Sequence, residues 1–449
     1  MNIPRIVIAG TSSGVGKTSI TCGIIHSLMK HGYTVQPFKV GPDYINPQYL
    51  SIISKKSPRN LNPWLMGKSQ VLDTFVKNSR ADMSVIEGVM GFYDGYSGTT
   101  NHSSTHHVAE ILKAPVILIL DASKAARSVA ATAQGFKNFH KNSHIRGIIL
   151  NKISTPKHAR LCKDALEQIN IPVVGVVPKQ ADINLSSRHL GLINDSHSMQ
   201  KIKQVASTIS DFIDLDLIIK YSKSAVPLKF KSKSLKKTRN KITIGVALDD
   251  SFNFYYNDNL DALRYHGAKL EFFSPTSDTQ IPQCHGLYLG GGYPEVLGNS
   301  LSKNTKMRRL VKKLALDNIP LYAECGGLMY LTRSITSEKK CYNMVGLYDL
   351  RTRMTKTVKL NYTKGNITNH CLLSSSNRAF HGHEYHYSEI TFVPNDMTFA
   401  YDLTRGHGII HNKDGIIQDN TLASYGHLYF PSCNFANEFV NQCIIYSRH

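Results

Sequence analysis

Two short stretches of the 449-residue chain carry residue types at spacings that do chemistry. The first is Gly10-Thr-Ser-Ser-Gly-Val-Gly-Lys-Thr18. It follows the apolar run 6–9 and precedes Ile20, Ile24, Ile25 and Leu28 at helical spacing, with Gly32 as the stop. Strand, glycine-rich loop and helix in that order make a phosphate-binding loop. Gly14 and Gly16 let the backbone N–H groups curl round a polyphosphate, and the helix N-terminus faces the anion. Lys17 is placed to reach the β- and γ-phosphates, and the Thr18 hydroxyl to bind Mg²⁺. The spacing departs from the usual pattern at Thr11, where a glycine is expected; the glycine stands one earlier, at Gly10. The plainer alternative is a glycine turn between a strand and a helix, against which Gly-Lys-Thr at that junction speaks.

The second stretch is Pro320-Leu-Tyr-Ala-Glu-Cys-Gly-Gly327. A strand breaks into a helix at Cys325, flanked by small residues, as in the cysteine form of a nucleophile elbow. The turn is expected to expose the sulfur, and the following helix N-terminus to lower the thiol pKa. The run Gly290–Gly292 offers N–H groups for an oxyanion. A thiol nucleophile needs a base. His427 lies in a strand-like run, 422–430, that would hold its imidazole at a fixed height; His383-Glu-Tyr-His386 competes with it. The third member of the set stays open.

Acids gather where the elements around the phosphate loop end. Asp43 lies in Gly41-Pro-Asp-Tyr-Ile-Asn-Pro47, after a strand at 34–39. Glu87 closes a strand at 83–86, and Asp94 follows in a loop with three glycines. In α/β sheets the carboxyl edge is where ligands bind, and an acid directly after a buried strand in a phosphate-loop domain is placed to hold Mg²⁺. Thr18, Asp43 and Glu87 are therefore the expected metal set. Asn151, after a strand at 145–150, stands where a nucleotide-base contact would. His102, His106 and His107 cluster near a helix start at Ser104-Thr105; exposed histidines are the expectation there, ahead of a zinc site.

These residues need elements to position them. Six strands (6–9, 34–39, 83–86, 116–120, 145–150 and 173–177) alternate with helices, which predicts a doubly wound parallel sheet. A segment from Lys223 to Lys241 holds eight Lys/Arg and no acid, the pattern of a solvated basic linker. A second α/β unit follows, with strands expected at 242–248, 270–273, 287–289 and 320–324. The predicted fold class is α/β with two domains: a phosphate-loop domain over 1–220, a linker over 221–241, and a second domain over 242–449. The length alone calls for more than one core. Eight cysteines without a C-x-x-C pair argue against a disulfide framework. The chain reaches its first strand at once and has no apolar run of membrane length, so a cytoplasmic setting is expected. The formal charge of +21 suits a polyanionic small molecule; no nucleic-acid signature accompanies it, so neither nucleic acid nor membrane is an expected partner.

The residues together resemble the cobyrinate a,c-diamide synthases, glutamine-dependent enzymes of tetrapyrrole biosynthesis. The matching stretches are 10–18, 38–43, 87–95, 188–191, 252–256, 290–295, 323–331, 382–388 and 423–427. A Gly-Thr start to the phosphate loop is shared with enzymes that amidate or carboxylate small molecules. The resemblance implies a dethiobiotin-synthetase-like ATP-dependent domain and a class I glutaminase domain. It implies that ATP phosphorylates an acetate side chain, that glutamine is hydrolysed at Cys325, and that ammonia attacks the acyl phosphate. It assigns Tyr44, Asn46 and Asp94 to the substrate, and Mg²⁺, ATP, L-glutamine and cobyrinate or a related tetrapyrrole to the reaction. A homodimer is compatible with it, and nickel-sirohydrochlorin is the alternative macrocycle. Asn46, Asn62 and His381 depart from the family's usual Asp, Asp and Arg, and Tyr429 stands where many class I glutaminases have Glu. A regulatory ATPase of the partitioning type would need neither Cys325 nor His427.

Overall fold

The computed structural model describes residues 1–179, 196–230, 242–374 and 377–448. The Arg188–Gly191 motif and residues 231–241 of the basic segment lie outside them. The chain divides into two compact units, Met1–Lys233 and Ser234–His449. The first unit continues past the expected limit at 220. The helix Leu215–Lys223 packs within it, and the Met1 ammonium donates to the Leu228 carbonyl at 2.7 Å while Leu228 N donates back to Met1 O. Buried Arg5 adds to this closure by donating to the carbonyls of Ile3, Leu112 and Val226.

The first unit holds a seven-stranded sheet of β1 (Arg5–Gly10), β2 (Val35–Val40), β3 (Arg59–Leu61), β4 (Met83–Glu87), β5 (Val116–Asp121), β6 (Ile145–Ile153) and β7 (Val173–Pro178). Their spatial order is β3-β2-β4-β1-β5-β6-β7, every pair parallel. Strands buried on both faces read as continuous apolar runs, which is why six of the seven are visible in the sequence. β3 is three residues, Arg-Asn-Leu, with no such run. From β1 the chain first builds one side of the sheet and then, from β5, the other. The reversal leaves a crevice at the carboxyl end of β1, where ligands of such sheets sit. Ile20, Ile24, Ile25 and Leu28 of the helix Lys17–Lys30 are buried as their spacing required, packed with Ile202, Val205 and Ile209.

The second unit carries β8 (Ile242–Ala247), β9 (Ala268–Phe273), β10 (Gly286–Leu289), β11 (Leu321–Glu324), β12 (Ser334–Ser337), β13 (Lys340–Asn343), β14 (Arg351–Ile367), β15 (Arg378–Ile390), β16 (Thr398–Arg405), β17 (Lys413–Gln418), β18 (Thr421–Ser424) and β19 (His427–Leu428). A parallel core, β9-β8-β10-β11-β18, continues through antiparallel β17, β16 and β14. The strand-like run at 422–430 is not one strand. Ser424 pairs with Glu324 on β11, whereas His427 pairs with His383 on β15. The chain changes partner at Tyr425-Gly426. The long hairpin β14–β15 has no periodic apolar signal in its first strand, whose residues are largely exposed; its pairing comes from the partner strand. No helix among the described residues is long and apolar enough to cross a membrane. All eight cysteines are free.

Candidate active site

The phosphate loop leaves β1 as the sequence requires. Gly14 and Gly16 have φ of 79° and 94°, in the left-handed region that favours glycine. At Gly16 space is decisive as well, since a Cβ there would stand 2.4 Å from Asn151 Nδ2. Asn151 acts on the loop itself: Nδ2 donates to Val15 O at 2.8 Å, and Oδ1 accepts from Lys152 N. Its neighbour Lys152 pairs with Asp121 at 2.6 Å. Lys17 folds back so that Nζ donates to Ser12 O at 2.8 Å. Burial, joined by the nearby Lys39 ammonium and opposed by Glu87 and Asp94, lowers the Lys17 pKa to about 8.

The expected acids converge on this loop. Thr18 Oγ1 donates to Glu87 Oε1 at 2.7 Å, and Glu87 Oε2 is buried with no hydrogen-bond partner. A buried, unpartnered carboxylate oxygen beside a hydroxyl suits Mg²⁺, which uses one or two protein carboxylates and takes its other ligands from phosphate and water. Asp43 joins through a residue that sequence reasoning missed. Lys39 is 1% exposed, and its Nζ lies 2.9 Å from Glu87 Oε1, 2.8 Å from Gly88 O and 3.6 Å from Asp43 Oδ2. A lysine on a buried strand beside an acid-ended neighbour was the available signal. Asp43 Oδ1 accepts from the N–H groups of Ile45 and Asn46, and so opens the helix Asn46–Ser54. Tyr44 is buried and Asn46 half-buried at this opening. Asp94 is exposed; its Oδ2 accepts from Gly91 N at 2.8 Å, and Phe92 N ties the same loop to Gly10 O. Asn62 caps the next helix by accepting from Trp64 N at 3.0 Å, work that an amide does as well as a carboxylate.

Of the three histidines expected to be exposed, His102 is exposed, whereas His106 and His107 are buried. His106 and His107 are 0% and 7% exposed in the helix Thr105–Leu112, which Ser104 caps. His107 Nδ1 accepts from Ser103 N, and His106 Nε2 faces Asn142 O at 3.2 Å. Burial lowers the His107 pKa to about 4. No cluster of three or more His, Cys, Asp or Glu suited to a metal occurs among the described residues.

In the second unit Cys325 directly follows β11, with φ 47° and ψ −100°, and precedes the helix Gly326–Leu331. A non-glycine residue in that conformation is strained, and such strain collects at functional turns. The sulfur is not exposed as expected: Cys325 is 5% accessible, and its Sγ lies 3.7 Å from Tyr385 O on β15. Burial pushes the thiol pKa up, Glu295 adds to the rise, and the Gly326 N–H opposes it. Desolvation thus outweighs the short helix, and the thiolate needs a base. Burial also raises Glu295, to about 7.

His427 reaches the same place from β19. A Cβ on Gly291 would stand 2.6 Å from His427 Cε1 and 3.3 Å from its Nε2, and one on Gly326 would stand 3.1 Å from Gly292 N. The glycine run therefore lies against both the elbow and the imidazole. Its first N–H is committed, because Gly290 N donates to Tyr255 OH at 2.8 Å. The competing histidines are used otherwise. His383 stacks on His427 with centroids 4.9 Å apart and meets Tyr256 OH at Nδ1, while His386 stacks on Tyr425 at 3.8 Å. Burial keeps both neutral, lowering His386 to about 4. Three buried acids were not read from the sequence. Glu324 stands beside His427, Asp414 holds the turn before it, and Glu384 accepts from the N–H groups of His407 and Gly408.

Comparison with known proteins fits this two-part arrangement. Residues 6–193 match the CobQ/CobB/MinD/ParA nucleotide binding domain, and residues 243–435 the CobB/CobQ-like glutamine amidotransferase domain. A cobyrinate a,c-diamide synthase of Methanosarcina barkeri (strain Fusaro / DSM 804) is 39% identical, with 95% of this chain and 93% of that one covered. The chain belongs to the cobyrinate a,c-diamide synthase family. Further relatives of that name come from Methanosphaera stadtmanae, at 40% identity over 95% of each chain, and Methanococcus maripaludis (strain C7), at 41% over 94% of this chain and 96% of that one. As a member of the cobyrinate a,c-diamide synthase family the chain is a glutamine-hydrolysing amidotransferase ligase with a nucleotide-binding domain that uses ATP.

Proposed function

We propose that the enzyme converts the a and c acetate side chains of cobyrinate to amides, with ATP, Mg²⁺ and glutamine or ammonia. The observation that carries this reading is the pairing, in one chain, of the Thr18–Glu87 contact at the phosphate loop with a strained cysteine elbow beside His427. Thr18, Asp43 and Glu87 would hold Mg²⁺, which would supply charge neutralisation for the nucleotide phosphates. Lys17 swings from Ser12 O to the transferring phosphoryl group and stabilises its charge. Tyr44, Asn46 and Asp94 would face the acetate, which takes the γ-phosphoryl group to become the acyl phosphate as ADP leaves. His427 takes the Cys325 proton, the sulfur attacks the glutamine carboxamide, and the nitrogen leaves as ammonia with that proton; water then cleaves the thioester, releasing glutamate and the free thiol. That ammonia displaces phosphate from the activated acetate.

The test is incubation of the full chain with ATP, Mg²⁺, glutamine and either cobyrinate or nickel-sirohydrochlorin, read by mass for two acid-to-amide conversions. Gain on cobyrinate supports the reading; gain on the nickel macrocycle alone replaces its substrate. Lys17→Ala is expected to cut amidation at least ~100-fold with either nitrogen donor while glutamine hydrolysis persists. Unchanged amidation would remove the role given to the loop.

A further inference from the structure

We propose that Glu324, the residue before the nucleophile, is the third member of the thiol site: a positioning residue that fixes His427 through Nδ1. This rests on the reading of Cys325 and His427 as nucleophile and base. The acids nearest to His427 in sequence are Asp419 and Glu438, so a carboxylate partner must come from elsewhere in the fold. Tyr429, two residues on, is turned to another task, its OH donating to Asp258 Oδ2 at 2.9 Å. β11 brings the partner. Glu324 is 1% exposed, and its Oε2 lies 3.5 Å from His427 Nδ1. That separation is an ion-pair distance, and such contacts in unliganded sites are often long and tighten in the complex.

The carboxylate is itself held. Oε1 accepts from Tyr322 OH at 2.7 Å and from Leu428 N at 3.0 Å, and Oε2 from Tyr288 OH at 3.0 Å. The Leu428 bond links Glu324 to the residue next to the imidazole, so one side chain sets both the backbone and the ring of β19. With Nδ1 protonated and facing Glu324, Nε2 is left on the side of Gly291, the loop that packs against the elbow. Nε2 is then the acceptor for the thiol proton, and the resulting imidazolium keeps its charge beside a buried carboxylate. Glu324 and Cys325 are consecutive, so the same β11–β18 pairing that places the nucleophile places the group that orients its base. The other titratable ring against His427, His383, is stacked on it and points Nδ1 to Tyr256.

The experiment is glutamine hydrolysis by the full chain, with ammonia-driven amidation as the parallel readout. Glu324→Gln is expected to lower kcat for glutamine about 100-fold, with KM within about twofold and ammonia-driven amidation unchanged. Tyr288→Phe/Tyr322→Phe removes two of the residues Glu324 holds but keeps the carboxylate, and is expected to keep kcat within about fivefold. A fall in the tyrosine variant as deep as in Glu324→Gln would mean that Glu324 only props the core, and overturns the proposal. So does a Glu324→Gln kcat within about fivefold of the parent. Should Glu324→Gln be insoluble, Glu324→Asp withdraws the carboxylate by about 1.5 Å and must lower kcat about tenfold at constant KM; an unchanged kcat overturns the proposal. Cys325→Ala separates the two layers: hydrolysis that survives it refutes the nucleophile itself rather than Glu324.

Discussion

Single residues decide charge at both sites. Lys39 is nearly inaccessible and joins Glu87 and Asp43. Removing one member of a buried pair strands the other, at a cost of about 3 kcal/mol or more. Lys39→Met is therefore expected to lower the stability of the first unit by about that amount, and Lys39→Met/Glu87→Gln to recover most of it, in urea unfolding of the full chain. An additive double variant would show that the two side chains are not coupled. Asn46 tests charge in the other direction. Its site already holds Asp43, Glu87 and Asp94, enough acid for one Mg²⁺, and its helix has no acid in the first turn. Asn46→Asp is expected to lower the Mg²⁺ needed for half-maximal rate and to raise the ratio of diamide to monoamide, measured by mass. No change in either would mean that position 46 has no electrostatic role.

At the scale of elements, the turn between β18 and β19 sets the direction of His427, and Asp414 sets the turn. Its carboxylate accepts from Tyr425 N at 3.0 Å, Gly426 N at 2.9 Å and Gly415 N at 2.9 Å. Burial nonetheless raises its pKa, from 3.8 to about 6. A raised carboxyl pKa favours the protonated folded form, so this stabilisation is complete below the unfolded value and is lost as pH rises through about 6. Relative to Asp414→Asn, which does not titrate, the parent should gain about 1.4 kcal/mol on going from pH 7.5 to pH 5. Unfolding of both proteins at the two pH values checks the sign; a gap that narrows at pH 5 contradicts it. β11 is the second controlling element, because it ends in Glu324 and delivers Cys325 one residue later.

At the scale of the whole chain, the matches to the nucleotide binding domain and to the glutamine amidotransferase domain fall in two separate compact units. Cys325→Ala is accordingly expected to abolish glutamine-dependent amidation and to leave the ammonia-dependent rate within about twofold. Equal loss with both donors would refute the separation. Much of this was legible in the sequence, for a physical reason. A parallel strand buried on both faces must be apolar throughout, a phosphate loop must have glycine where φ is positive, and an elbow must have small neighbours. Those demands are local, so six strands of the first sheet, Gly14–Thr18, Glu87 and Cys325 could be found from spacing alone. What the tertiary structure decided are the pairings between residues distant in the chain. Lys39 becomes part of the acid site only because β2 lies beside β4. His427 leaves the strand of Ser424 because β15 offers it a partner. The Cys325 thiol pKa rises because β15 and the glycine run enclose it, a desolvation that no local pattern encodes.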